Sequence, residues 1–194
     1  MNSVINLLKR LWHKVQVNCF YNPYTVENYW RKQGLRIGTG NRIHTKDFGT
    51  EPYLIKIGNN CGFSSGIRFI THDGATTIFR KDIPDLHVFG SIEIKDNCMI
   101  GMNAILMPNI VIGPDAIVGA GAVVWKDVPP NTVVSGNPAR FICKLEDYKK
   151  ISIEKFSRLG LKGPKTAWRK QLEDYFWNQP EHVESAPETV LAEK

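Results

Sequence analysis

The chain has 194 residues, 42% of them hydrophobic, and a formal net charge of +6. That is enough chain for one domain with a buried core, and no run approaches the about eighteen apolar residues of a membrane span. The basic residues are dispersed, with no patch interleaved with aromatics, so no nucleic-acid partner is expected. Residues 3–17 set Val4, Leu7, Leu8, Leu11, Trp12 and Val15 on one helical face, with Lys9, Arg10 and Lys14 elsewhere. Two readings of this helix stand. It packs on the open end of the domain or on another subunit, or it lies on an anionic membrane as a peripheral contact. Residues 1–46 hold eight Lys or Arg against one acid, Glu27, which keeps the second reading in play. The segment lacks the apolar block and cleavage site of a signal peptide. A cytoplasmic location is expected, at the inner membrane face if this helix meets lipid. A second helix is expected from Thr25 to Lys32, stopped at Gly34.

Beyond Gly34 the chain begins to repeat every six residues. A weak start at Ile37 and Ile43 leads to rungs opening at Ile57, Phe63 and Phe69. From Ile94 the rungs open at Ile94, Ile100, Leu106, Ile112, Val118 and Val124. A small or aliphatic residue takes the fifth place each time: Cys98, Ala104, Ile110, Ala116, Ala122 and Val128. Neither a helix period nor strand alternation accounts for this. A fixed short period marks a parallel β-solenoid, in which stacked rungs bury together what none can bury alone. Cys61 and Cys98 fall in the fifth place, so burial as small apolar residues is expected of them. The four cysteines have no metal-ligand spacing.

Phe69 and Ile94 are out of step by one residue, and the stretch after His72, GATTIFRKDIPDLHVFGS, is polar and non-periodic. Long insertions into a solenoid gather on one face, often the binding face. His72 takes the fourth, outward place of its rung, where the coil gives way to this loop. After Arg140 the period is lost. Leu145 to Trp177 reads as helical with a break at Gly160 to Pro164, and the Glu- and Pro-rich tail from Asn178 as disordered. The expected organisation is 1–36 for the N-terminal helices, 37–140 for an all-β solenoid with loop 73–91, 141–177 for a helical extension and 178–194 for the tail.

The repeat, the segments FGTEPYLIKIGNN and FITHDG, and the ending GAGAVVWKDVPPNTVVSGNPAR resemble the hexapeptide-repeat acyltransferases over roughly residues 24 to 145. Within them the likeness is greatest to the maltose, galactoside and capsular-polysaccharide O-acetyltransferases. The resemblance implies a left-handed parallel β-helix, acetyl-CoA as co-substrate, and a homotrimer with sites between subunits. It places His72 where these enzymes carry their catalytic histidine. Imidazole exchanges a proton near neutral pH, so His72 is expected to act as general base on an acceptor hydroxyl attacking the thioester. No acyl-enzyme is expected, and no cysteine is asked to serve as nucleophile.

The same resemblance sets Asp47 near a family Asn or Asp that holds the acceptor hydroxyl. Asp73 either orients a polar group or ends its rung. Arg80, with Lys81, Asp82 and Asp85, lines the acceptor pocket or belongs to a solvated loop; His87 is loop structure or a supporting contact. On the donor side, the Gly119-Ala120-Gly121 corner suits the pantetheine arm, with Ala120 at its centre. Coenzyme A phosphates need cations, and Lys126, Arg140 and Lys144 are the candidates. Trp125 leans on the coenzyme or covers a subunit seam. Met102 stands where relatives often carry a small polar residue.

THDG and FGTEPYL most resemble enzymes that acetylate a sugar hydroxyl of a capsule, O-antigen or exopolysaccharide. Antibiotic acetylation and N-acetylation of a nucleotide-linked amino sugar are the alternatives, since one general base serves hydroxyl and amine alike. Zinc carbonic anhydrases are also left-handed β-helix trimers, built on three histidines. His13, His44, His72, His87 and His182 include no closely spaced pair within the repeat, so no metal is expected.

Overall fold

The computed structural model describes residues 8, 11, 12, 15–156 and 159–178. They fall into two compact units, 1–145 and 146–194. The helix expected over 3–17 lies largely outside the described residues. Leu8, Leu11, Trp12 and Val15 are described, and all four are helical and exposed. The tail beyond Asn178 lies outside them as well.

In the first unit the chain winds through three parallel sheets in cyclic order. One incomplete turn holds β1 (Arg36–Ile37) and β2 (Arg42–Ile43). Three full turns follow: β3 (Ile55–Ile57), β4 (Gly62–Phe63) and β5 (Arg68–Phe69); β6 (Ile92–Ile94), β7 (Met99–Ile100) and β8 (Ile105–Leu106); β9 (Ile110–Ile112), β10 (Ile117–Val118) and β11 (Val123–Val124). The sheets run β1-β3-β6-β9, β2-β4-β7-β10 and β5-β8-β11, and every neighbouring pair within these runs is parallel. β12 (Thr132–Ser135) adds to β10, and β13 (Arg140–Lys144) returns antiparallel beside it.

The six-residue period explains each place. The first residue of every rung points inward: Phe63, Ile94, Ile100, Leu106, Ile112, Val118 and Val124 are all at most 1% exposed. The fifth place, from Cys61 and Ile67 to Ala122 and Val128, is buried as well except at Asp73, where the chain leaves the repeat. Cys61 and Cys98 sit on adjacent turns, and a hydrogen bond to Cys98 together with burial pushes the Cys61 thiol up, so it stays protonated. The fourth place turns the corner. Asn60, Asn97, Asn103, Asn109 and Asp115 hold φ between 54° and 59°, and glycine serves at Gly66 and Gly121. Asn, Asp and Gly are the residues for which the left-handed region is least costly.

In the full turns two fourth-place residues lack that conformation, His72 and Asp127, and at both the chain leaves the repeat. Ile57 and Ile94 are register partners 37 positions apart, whereas Ile94 and Ile112 are 18 apart. The excess of 19 residues is the inserted loop, which accounts for the one-residue slip read from the sequence. The loop has structure of its own: a 3₁₀ helix spans Gly74–Phe79.

The open end is sealed by α1 (Val26–Lys32), with Thr25 as its N-cap residue. Val26, Tyr29 and Trp30 are buried; the Trp30 ring meets Phe48 edge-on at 4.9 Å, and Phe48 stacks on Phe69 at 4.7 Å. Arg31 ties this helix to the first turn through the carbonyls of Ile37 and Gly38, and pairs within the helix with the carboxylate of Glu27. Phe48 thus fills the core on the third side of the first turn, a place the sequence pattern does not reveal. α2 spans Leu145–Phe156, all but its first residue in the second unit, and α3 spans Trp168–Trp177, entered through a turn in which Trp168 Nε1 donates to the Gly163 carbonyl at 3.0 Å. Among the described residues no helix is long and apolar enough to cross a membrane.

Candidate active site

Two departures from the repeat meet at His72. The first follows Phe48: Ile37 and Ile57 are register partners 20 positions apart, two more than in a regular turn, and the rerouted path ends in a 3₁₀ turn at Pro52–Leu54. The second is the loop that starts at His72 itself. Its base is a short antiparallel bridge between His72 and Phe89, with Asp73 N donating to Val88 O at 2.9 Å and Gly90 N to Thr71 O at 2.8 Å.

The first departure delivers Glu51. Its Oε2 lies 3.0 Å from His72 Nδ1 and accepts from Thr71 Oγ1 at 2.6 Å. Burial works against a charge on Glu51, but hydrogen bonds from Thr71, Thr50 and His72 outweigh it and hold the carboxyl below the ordinary range. A carboxylate at Nδ1 places the imidazole proton there and leaves the Nε2 lone pair available. The His72 side chain is 49% exposed while that of Glu51 is 14% exposed, so the imidazole faces solvent and the carboxylate stands behind it. The sequence reading missed Glu51. Its only signal was the broken rhythm between Ile43 and Ile57.

His72 opens on a cleft of about 300 Å³ shared with Asp47, Gly49, Thr50 and Arg68. Asp47 Oδ1 accepts from Gly49 N at 2.9 Å, and Oδ2 pairs with Arg68 Nη1 at 3.2 Å. Both side chains of that pair are about two-thirds exposed, so it contributes little and a ligand can displace it. Asp47 is therefore beside His72, with Arg68 as a neighbour the sequence did not suggest. Asp73 serves the loop instead of the cleft, since its Oδ1 accepts from Ala75 N at 2.8 Å and caps the 3₁₀ helix. Arg80 reaches not the cleft but His87, with Nη2 3.3 Å from Nδ1. Lys81, Asp82 and Asp85 are exposed.

The candidate coenzyme residues divide. Ile70 N donates to Leu106 O and Met107 N to Val124 O, so Ile70, Met107 and Trp125 stack along one edge. At about 4.8 Å per strand, Trp125 is about 10 Å from Ile70, beside His72's own segment. Trp125 is 57% exposed, and Lys126 beside it is exposed too. Arg140 pairs with Ser135, whose side chain covers Gly119, so Arg140 lies toward the Ala120 corner. Lys144 pairs with Thr132 at the other end of β13, about 13 Å away by strand rise. Met102 is exposed. Among the described residues no three His, Cys, Asp or Glu side chains gather as metal ligands.

Residues 91–124 match the bacterial transferase hexapeptide family of six repeats. The chain is 48% identical to Protein CapG of Staphylococcus aureus over 131 residues, which cover 66% of this chain and 76% of the relative. It is 29% identical to galactoside O-acetyltransferase of Lactococcus lactis over 165 residues, 78% of this chain and 76% of that one. A hexapeptide-repeat acetyltransferase of Vibrio cholerae, solved in complex with acetyl coenzyme A, has the same fold with a TM-score of 0.52 at 23% identity, covering 69% of this chain and 83% of that one. The repeat, its inward and corner places, and this likeness along the chain lead to one statement: the protein belongs to the hexapeptide-repeat transferase family and is one of its acyltransferases.

Proposed function

We propose that the protein moves an acetyl group from acetyl-CoA to a sugar hydroxyl, in the making of a surface polysaccharide. The observation that carries the chemistry is the Glu51–His72 contact, which frees Nε2 in a cleft with hydrogen-bonding walls. The acceptor O–H gives its proton to Nε2 as the oxygen attacks the thioester carbonyl. The tetrahedral centre then collapses, the C–S bond breaks, and the coenzyme thiolate takes the proton back from Nε2. Glu51 stays ionised throughout and stabilises the imidazolium between the two transfers. Asp47 and Arg68 are suited to accept from and donate to neighbouring sugar hydroxyls.

The donor lies along the edge that runs from His72 past Trp125 and Lys126, with Arg140 near the Ala120 corner taking phosphate. From the family likeness, the reading includes left-handed winding and a trimer whose neighbour closes the groove. The galactoside acceptor of the Lactococcus relative and the THDG and FGTEPYL segments support a sugar as acceptor. Thiol release from acetyl-CoA in the presence of a sugar panel tests the proposal. His72→Ala is expected to lower acceptor-dependent release by about 10²- to 10⁴-fold while acetyl-CoA still binds. Release that survives this substitution would remove His72 from the reaction.

A further inference from the structure

The far end of the loop brings a second kind of surface to His72. Phe89 is 53% exposed, with its ring centroid 6.2 Å from that of His72 and tilted 59° to it. The distance is set by backbone, because the bridge between the two residues and the flanking Asp73–Val88 and Gly90–Thr71 hydrogen bonds tie them together. On the loop side, His87 lies near-parallel to Phe89 at 24° and is itself held by Arg80. The phenyl ring is thus positioned from two directions and still left in water. Exposed aromatic area forfeits the stabilisation that burial brings, and a ring fixed this firmly beside a reactive imidazole is placed to meet a ligand.

One imidazole therefore has a polar cleft of Asp47, Thr50 and Arg68 on its own segment's side and an aromatic ring supplied by the loop. A pyranose has the matching duality: hydroxyls around its edge and a face of C–H bonds. We infer that Phe89 is a specificity residue of the acceptor site, which takes the C–H face of a hexopyranose while a hydroxyl of its edge turns to His72. The inference rests on the sugar reading above and sharpens it. The loop selects a ring-shaped acceptor, and open-chain alcohols of similar polarity are poor ones.

The test uses the full chain as wild type, Phe89→Ala, Phe89→Trp and His72→Ala. Thiol release from acetyl-CoA is followed with methyl hexopyranosides as acceptors, and again with no acceptor, where water is the nucleophile. Phe89→Ala is expected to raise KM for the glycoside about fivefold to tenfold and to leave the KM for acetyl-CoA and the acceptor-free hydrolysis unchanged. Phe89→Trp is expected to restore the wild-type KM. An unchanged glycoside KM in Phe89→Ala overturns the inference and leaves the sugar reading intact. A loss of hydrolysis or of oligomeric state in step with transfer also overturns it, because Phe89 would then be a structural or seam residue. Wild-type protein that acetylates no hexopyranoside removes the sugar reading, and this inference with it.

Discussion

The turns from β6 to β11 and the turns from β1 to β5 obey one core rule and differ at their corners. In the later turns every rung closes through a left-handed Asn, Asp or Gly until the chain leaves at Asp127. In the earlier turns two corners are rebuilt, after Phe48 and at His72, and each rebuilding supplies a residue that the repeat has no place for: Glu51 from the first, Phe89 from the second. Regular turns hold the molecule together; on the proposed reading, broken turns furnish its chemistry.

Substitutions can separate these two roles. The largest effect is expected in the regular part. Leu106 is fully buried, and Leu106→Ala should cost about 2–5 kcal/mol, lowering the melting temperature by roughly 5–15 °C. Turnover per folded molecule should be nearly unchanged. A variant that melts like the wild type but fails to turn over would undo the comparison.

Glu51→Gln sharpens it from the other side. The amide can still meet Nδ1 but carries no charge, so turnover should fall by about 10- to 100-fold with little change in acetyl-CoA binding. Stability gives a second readout with a definite sign. A carboxyl held below its ordinary value contributes stability above the unfolded-state pKa of about 4.3, and loses it as pH falls through its own lower value. The margin in melting temperature between wild type and Glu51→Gln should therefore be full near pH 7 and vanish in strong acid. A margin that persists there would mean the carboxylate's hydrogen bonds do not stabilise the fold.

The smallest effect is expected at Asp73. Asp73→Ala removes a cap worth about 1 kcal/mol, confined to the loop. Limited proteolysis should cut within 74–89 faster, while the melting of the turns stays put.

Much of this was open to a reader of the sequence. An inward side chain every six residues is a statement about burial, so the rungs at Ile57, Phe63 and Phe69 and from Ile94 onward, with their buried fifth places, follow from composition and period alone. His72 stood out because it occupies a corner place with a residue that does not turn corners. Glu51 and Phe48 were hidden for a physical reason. Where the rhythm fails, nothing in the period says which of the extra residues faces inward, and only the folded path of 44–54 puts Phe48 on Phe69 and Glu51 on His72. Asp73 and Arg80 were legible as charged residues close to His72, but their partners were not: Asp73 caps the loop's helix and Arg80 reaches His87.

The clamp at the base of the loop has a consequence for how such an enzyme diversifies. Two backbone hydrogen bonds pin residues 71–73 to 88–90, and the turns on either side stay in register as though the intervening chain were absent. Loop-closure entropy rises only slowly with length, by about 0.6 kcal/mol per doubling. The segment can therefore be lengthened, shortened or exchanged as a cassette while the scaffold and the Glu51–His72 contact stay unaltered, and on the proposed reading such a change revises which acceptor is admitted.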